Sequence, residues 1–135
     1  MKIFVPDASI ILKWVLSENE DNQDKALSLL HGWLNQECAF ILPSLWIYEV
    51  GNVLGLKKPK EADELLGLLL DYEFPEARIS KRLINQTYRL MKEHRGITFY
   101  DAVYHAVAVE ESGTLVTADK AYFDKMHGKG GIVLI

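Results

Sequence analysis

Residues 98–119 read Thr98-Phe99-Tyr100-Asp101-Ala102-Val103-Tyr104-His105-Ala106-Val107-Ala108-Val109-Glu110-Glu111-Ser112-Gly113-Thr114-Leu115-Val116-Thr117-Ala118-Asp119. The first part is apolar nearly all round, which predicts a central, buried helix from Phe99 to about Glu111, opened by Thr98. Gly113 ends it. Thr114 to Thr117 then reads as a strand buried on both faces, as in a parallel sheet covered by helices. A helix of this length spans ~20 Å and a short strand ~17 Å, and the two run in opposite directions. The helix start, with Asp101, therefore returns to the carboxyl end of the strand, where Asp119 follows directly.

The same alternation runs outward from this unit. Lys2 to Pro6 is a β-branched and aromatic run closed by proline. Asp7 or Ser9 can cap a helix over Ile10 to Leu16. Asn19 to Asn22 is a polar connection, and Asp24 to Asn35 reads as an amphipathic helix. Residues 38–42 form a second apolar run, again closed by proline, and Ser44 can cap a helix from Leu45 to about Leu56. Pro59 stands near the start of a helix that reaches about Tyr72. Ser80 caps one over Lys81 to His94, and Asp119 to Met126 is a short last helix. The expectation is one α/β domain over residues 1–135: a five-stranded parallel sheet, with about seven helices on both faces. Its strands should lie near 2–6, 38–42, 76–79, 114–117 and 132–135.

Composition agrees. The chain has 135 residues, 49% of hydrophobic type and 25% charged. That excludes disorder and suits a single domain with its own core. The lone Cys38 cannot form an internal disulfide, which fits a reducing compartment. No apolar run approaches the ~20 residues of a membrane span, and the early apolar stretch lacks the marks of a signal peptide. The expectation is a soluble cytoplasmic protein.

Of the 19 acids, most sit in polar company, among them Glu18, Glu20, Asp21, Glu61, Asp63, Glu64 and Glu93. Four do not. Asp7 and Asp119 each follow a strand, at the sheet edge where open parallel sheets bind ligands. A plain helix cap is the alternative for either. Glu49 lies on a largely apolar helix, where an isolated carboxylate is costly unless it reaches water at the helix edge. Asp101 either complements the dipole of its helix, pairs with His105 one turn on, or serves a site. All four can meet at one end of the sheet, at the topological switch point if the first and fourth strands are neighbours. There they would repel one another unless protonated or joined by a cation, and oxygen-only donors favour Mg²⁺ or Mn²⁺ over zinc. The formal charge is -4, so without these four the acids and bases would balance.

These residues resemble the PIN domain, most closely the VapC-type toxins of toxin-antitoxin pairs. The resemblance rests on Asp7-Ala8-Ser9 after the opening strand, Pro43-Ser44-Leu45-Trp46-Ile47-Tyr48-Glu49-Val50-Gly51-Asn52-Val53-Leu54, Tyr100-Asp101-Ala102-Val103-Tyr104-His105-Ala106-Val107-Ala108, and Leu115-Val116-Thr117-Ala118-Asp119-Lys120-Ala121-Tyr122-Phe123. It covers essentially the whole chain. It implies a ribonuclease that uses one or two Mg²⁺ or Mn²⁺ ions, held by Asp7, Glu49, Asp101 and Asp119, which are also the catalytic acids. Ser9, Asn52, Thr117 and Asp124 match supporting positions. Dispersed Lys13, Arg95, Lys120 and Lys125 are candidates for the RNA backbone, in a chain with no dense basic stripe. A homodimer and a small VapB-like antitoxin are the implied partners, and the Leu65–Leu70 segment carries more apolar surface than one core face needs. Gly51 and Gly55 would admit a neighbouring backbone.

Other assignments fit less well. The second acid of a haloacid-dehalogenase phosphotransferase is replaced by Ser9, and the acids of a response-regulator receiver are not visible. Gly128-Lys129-Gly130-Gly131 lacks P-loop spacing and reads as a turn. His31, His94, His105 and His127 have no zinc-ligand spacing. Two alternatives stand beside the toxin: a PIN-like binding scaffold with little catalysis, and an RNA-processing nuclease that is not a toxin.

Overall fold

The computed structural model describes residues 1–17 and 21–135. Glu18, Glu20 and the first residue of the Asn19–Asn22 connection lie outside the described residues. In chain order the elements are β1 (Ile3–Pro6), α1 (Ala8–Val15), α2 (Gln23–Leu34), β2 (Ala39–Phe40), β3 (Leu42–Pro43), α3 (Leu45–Lys57), α4 (Ala62–Asp71), β4 (Glu76–Ala77), α5 (Lys81–Met91), α6 (Phe99–Glu110), β5 (Thr114–Thr117), α7 (Lys120–Met126) and β6 (Ile132–Leu134).

All strand pairs are parallel. The main sheet has the order β2-β1-β5-β6, and β3-β4 form a second, two-stranded sheet. The expected strand over 38–42 changes partner at Ile41. Ala39 and Phe40 pair with Ile3 and Phe4 of β1, whereas Leu42 and Pro43 pair with Glu76 and Ala77. The Ile41 amide still bonds the Phe4 carbonyl at 3.3 Å, and the next amide, Leu42, goes to Pro75 at 2.9 Å. Proline then closes β3, because it has no amide proton to continue a ladder. The third expected strand, over 76–79, shortens to two residues, and Ile79 is left 67% exposed beyond it. β1 and β5 are neighbours, so the chain reverses its winding between them and opens a crevice at their carboxyl ends.

Helix α6 forms the centre of the core, with every residue from Ala102 to Ala108 buried. It packs on β1, β3, β5 and α5. A second part of the core is aromatic. Phe74, in the α4–β4 connection, has ring centroids within 5.0–6.2 Å of Trp14, Trp33, Phe40, Trp46 and Tyr72. The two buried indole N–H groups are satisfied: Trp14 donates to the Ala26 carbonyl at 2.8 Å and Trp46 to Glu76 at 2.7 Å. This cluster supports the first turn of α3, three residues before Glu49.

Two glycines have steric reasons. A Cβ at Gly113 would stand 2.7 Å from the Ile3 carbonyl oxygen, so the turn into β5 can approach β1 only without a side chain. Gly113→Ala is expected to cost ~1–3 kcal/mol through forced separation of the strands. Urea denaturation would show it, and a wild-type midpoint would refute the close-approach explanation. A Cβ at Gly51 would meet Leu66 of α4 at 3.2 Å, while Gly55 faces open space. The close approach expected there is therefore made by a leucine of α4 over Gly51.

Candidate active site

Strand ends, not helix faces, place the first two acids. Asp7 follows β1 and caps α1, accepting from the Ile10 amide at 3.3 Å. Asp119 follows β5 and caps α7, accepting from the Tyr122 amide at 3.0 Å. Because β1 and β5 pair, these two caps open at the same edge, and the Asp7 amide itself bonds the Val116 carbonyl at 3.1 Å.

Two hydroxyls tie the strand ends together. Ser9 Oγ donates to Asp7 Oδ1 and accepts from the Ala118 amide at 2.8 Å. Thr117 Oγ1 accepts from the Asp119 amide at 3.0 Å and lies close enough to Asp7 to favour its charged form. The Ser9 hydroxyl uses its single proton on Asp7 and its lone pairs on the β5–α7 turn. Burial pushes the Asp7 carboxyl up to about 6, against the pull of these hydroxyls and of the Ile10 and Ser9 amides.

The other two acids come from helices. Asp101 is in the first turn of α6, where Thr98 Oγ1 caps its amide at 3.1 Å. It lies at the open mouth of the site. Desolvation by the surrounding helices and the charge of Asp119 raise its pKa, opposed by Thr98 and Lys125. Glu49, half-buried on α3, is raised by burial and by Asp101, and lowered by a hydrogen bond from Tyr104. That phenol donates to Glu49 Oε1 at 2.6 Å. The charge of Asp119 thus reaches Asp101, and that of Asp101 reaches Glu49. Among the described residues, no three His, Cys, Asp or Glu side chains converge into a ready-made metal cage.

The PIN domain model matches residues 4–129. The chain belongs to the PIN domain family. Solved structures share its fold: VapBC2 from Rickettsia felis bound to a promoter DNA fragment is 18% identical, with TM-score 0.69, covering 98% of this chain and 97% of that one. A toxin-antitoxin complex from Klebsiella pneumoniae is 21% identical, with TM-score 0.66 and coverage of 98% and 96%. VapC20 from Mycobacterium tuberculosis, a toxin that cleaves the sarcin-ricin loop, is 16% identical, with TM-score 0.68 and coverage of 99% and 98%. No curated protein sequence matches the chain.

The remaining candidate residues of this PIN domain are scattered. Asn52 is exposed on α3, one turn after Glu49. Asp124 pairs with Lys120 at 2.7 Å on the exposed face of α7, so these two charges hold each other. Lys125 lies close enough to Asp101 to lower its pKa, and its Nζ is near Gly96. Arg95 is exposed between α5 and α6. Lys13 is buried in α1, where its ammonium donates to the Asp21 carbonyl at 2.6 Å and so serves the α1–α2 connection.

His105 does not pair with Asp101. Its Nε2 bonds the Gly130 carbonyl at 3.0 Å, so that nitrogen carries the proton and Nδ1 accepts from the Tyr122 hydroxyl at 2.9 Å. Burial lowers its pKa, against the Gly130 bond. Tyr122 and Tyr104 are the site features that sequence reasoning missed. Burial and the neighbouring acids raise both phenols: Glu49, Asp7 and Asp101 act on Tyr104, and Asp101, Asp7 and Asp119 on Tyr122. The available signal was chemical: a phenol on a buried helix needs a partner.

Proposed function

We propose that this PIN domain is a divalent-metal-dependent endoribonuclease of the VapC toxin type, hydrolysing RNA phosphodiester bonds. The observation that supports the reading is the pairing of β1 with β5, which sets Asp7 and Asp119 at one sheet edge, with Asp101 raised by Asp119 and Glu49 by Asp101. The donor set is anionic, all oxygen and mutually repelling, which fits one or two Mg²⁺ or Mn²⁺ ions and not zinc. Asp7, Glu49, Asp101 and Asp119 would hold them. The chemistry such an ion supplies is activation of water and neutralisation of charge at the phosphate.

The chain's own residues account for the rest. Ser9 fixes the direction of Asp7 and joins it to the β5–α7 turn, where Thr117 holds the Asp119 amide. Glu49 or Asp101, whichever is less engaged with metal, orients the attacking water and accepts its proton. Lys125, near Asp101 and Gly96, is the first candidate for phosphate oxygens, with Arg95 next to Gly96 in the chain, while Lys120 is held by Asp124. Ser9→Ala removes both a proton donor to Asp7 and the acceptor of the Ala118 amide. It is expected to lower cleavage by about 10–100-fold and stability by ~1–2 kcal/mol. Cleavage within twofold of wild type would remove Ser9 from the site.

Partners follow from uncovered apolar surface. Leu56, Leu68 and Leu70 on α3 and α4 are 77%, 53% and 49% exposed. A small VapB-like antitoxin, with a homodimer of this chain, would bury such surface, as the toxin-antitoxin complexes of similar fold suggest. A cytoplasmic location fits this role, and no helix among the described residues is long and apolar enough to cross a membrane.

Calorimetric titration with Mn²⁺ tests the enzyme against a binding scaffold. The nuclease is expected to bind Mn²⁺ and to lose the affinity in Asp101→Asn. Absence of Mn²⁺ binding in the folded wild type would favour the scaffold.

A further inference from the structure

Glu49 differs from the other three acids in how it is held. Asp7 and Asp119 accept from amides of their own helix turns, and Thr98 fixes the backbone of Asp101. Each is a short side chain beside a helix cap. Glu49 stands in the second turn of α3, on a longer side chain with more rotamers to lose. Its hydrogen bond comes from another helix, 55 positions away in sequence: Tyr104 Oη lies 2.6 Å from Oε1.

Tyr104 is itself out of place unless it has this role. It is 2% exposed, among Ala102, Val103, Ala106 and Val107 on the most buried helix of the molecule. A phenol there requires an acceptor, and Glu49 is the one it has among the described residues. Tyr104 follows Asp101 by three positions, so the two share a face of α6. The phenol also lies within electrostatic reach of Asp7.

We infer that Tyr104 is a positioning residue: by donating to Oε1 it fixes the Glu49 carboxylate in one rotamer and leaves Oε2 to face a divalent cation or the attacking water. The inference rests on the nuclease reading. Phenylalanine at 104 would fill the same space and hold nothing, which makes Tyr104→Phe the informative change.

The test is a double-mutant cycle read by Mn²⁺ affinity, with steady-state cleavage beside it and circular dichroism to show folding. Tyr104→Phe is expected to weaken Mn²⁺ binding by about tenfold. Its kcat should fall by at least about tenfold, with KM for RNA within twofold. Glu49→Gln should also weaken Mn²⁺ binding, and adding Tyr104→Phe to it should do nothing more. Additive losses, or a Tyr104→Phe protein with wild-type Mn²⁺ affinity and kcat, would overturn the inference and leave Tyr104 as a staple between α3 and α6.

Should Tyr104→Phe fold poorly, Glu49→Asp probes the link from its other end, since the shorter carboxylate keeps its charge but draws away from the phenol. Loss of Mn²⁺ affinity supports the inference, and wild-type affinity contradicts it. A wild type that neither binds Mn²⁺ nor cleaves overturns the nuclease reading and this inference with it. A wild type that does both, matched by Tyr104→Phe, overturns the inference alone.

Discussion

Asp7→Asn is expected to abolish RNA cleavage and, at the same time, to raise the melting temperature at neutral pH. The first effect follows from removing one of the four charges proposed to hold the cation, a loss of at least ~10³-fold if Asp7 is a direct ligand. The second follows from linkage. Burial sets Asp7 at about 6 in the folded protein, above its ordinary 3.8. A carboxyl raised in this way binds its proton more tightly when folded. Its favourable contribution is therefore complete below about pH 4 and is lost as pH rises through 6. At pH 7 the charged Asp7 opposes folding. The shift corresponds to ~3 kcal/mol at most, and screening of a half-buried group reduces this to ~1–2 kcal/mol.

Asparagine keeps the shape, the capping oxygen and the acceptor for Ser9, while removing the charge. In metal-free buffer the Asp7→Asn protein should melt about 3–6 °C above wild type at pH 7. The gap should close near pH 4, where wild-type Asp7 is protonated as well. A thermal scan across this range checks it. A lower melting temperature at pH 7, or retained cleavage, would contradict the assignment of Asp7 as a desolvated member of the acid site.

Phe74→Ala is expected to be the most damaging single change to the fold, costing ~3–5 kcal/mol. The ring is 6% exposed and touches five other aromatic rings drawn from α1, α2, β2, α3 and the end of α4. Its loss would leave a cavity that such rigid neighbours cannot close. Native domains hold only ~5–15 kcal/mol in total, so the variant would be marginal. Activity should fall with it, because Trp46 in this cluster anchors the turn that leads to Glu49. Urea denaturation measures the change, and a midpoint within experimental error of wild type would show that the cluster is not a unit.

The architecture was largely legible in the sequence, since apolar runs closed by proline and separated by capped helices force a parallel sheet between helices. The positions of Asp7 and Asp119 were legible for the same reason: they stand one and two residues past a strand. The break at Ile41 was not. Residues 39–43 are apolar on both sides of it, and the change of partner is decided by the carbonyls of Phe4 and Pro75, which belong to distant segments. The aromatic cluster was hidden too, because Phe74 sits in a connection with no periodicity to reveal it. Tyr104 and Glu49 are separated by half a domain of sequence, and nothing local in either marks the other. His105 illustrates the converse. Helical spacing offered Asp101 as its partner, but the fold brings Tyr122 and Gly130 to its two nitrogens, satisfying both.

The central claim is that these acids make a metal-dependent ribonuclease centre. The most direct test is wild-type cleavage of a mixed panel of structured and single-stranded RNAs with Mg²⁺, Mn²⁺ or EDTA. The account predicts discrete cuts with either metal and none in EDTA. Cuts that persist undiminished in EDTA would contradict it, as would an intact panel from a protein that also fails to bind Mn²⁺.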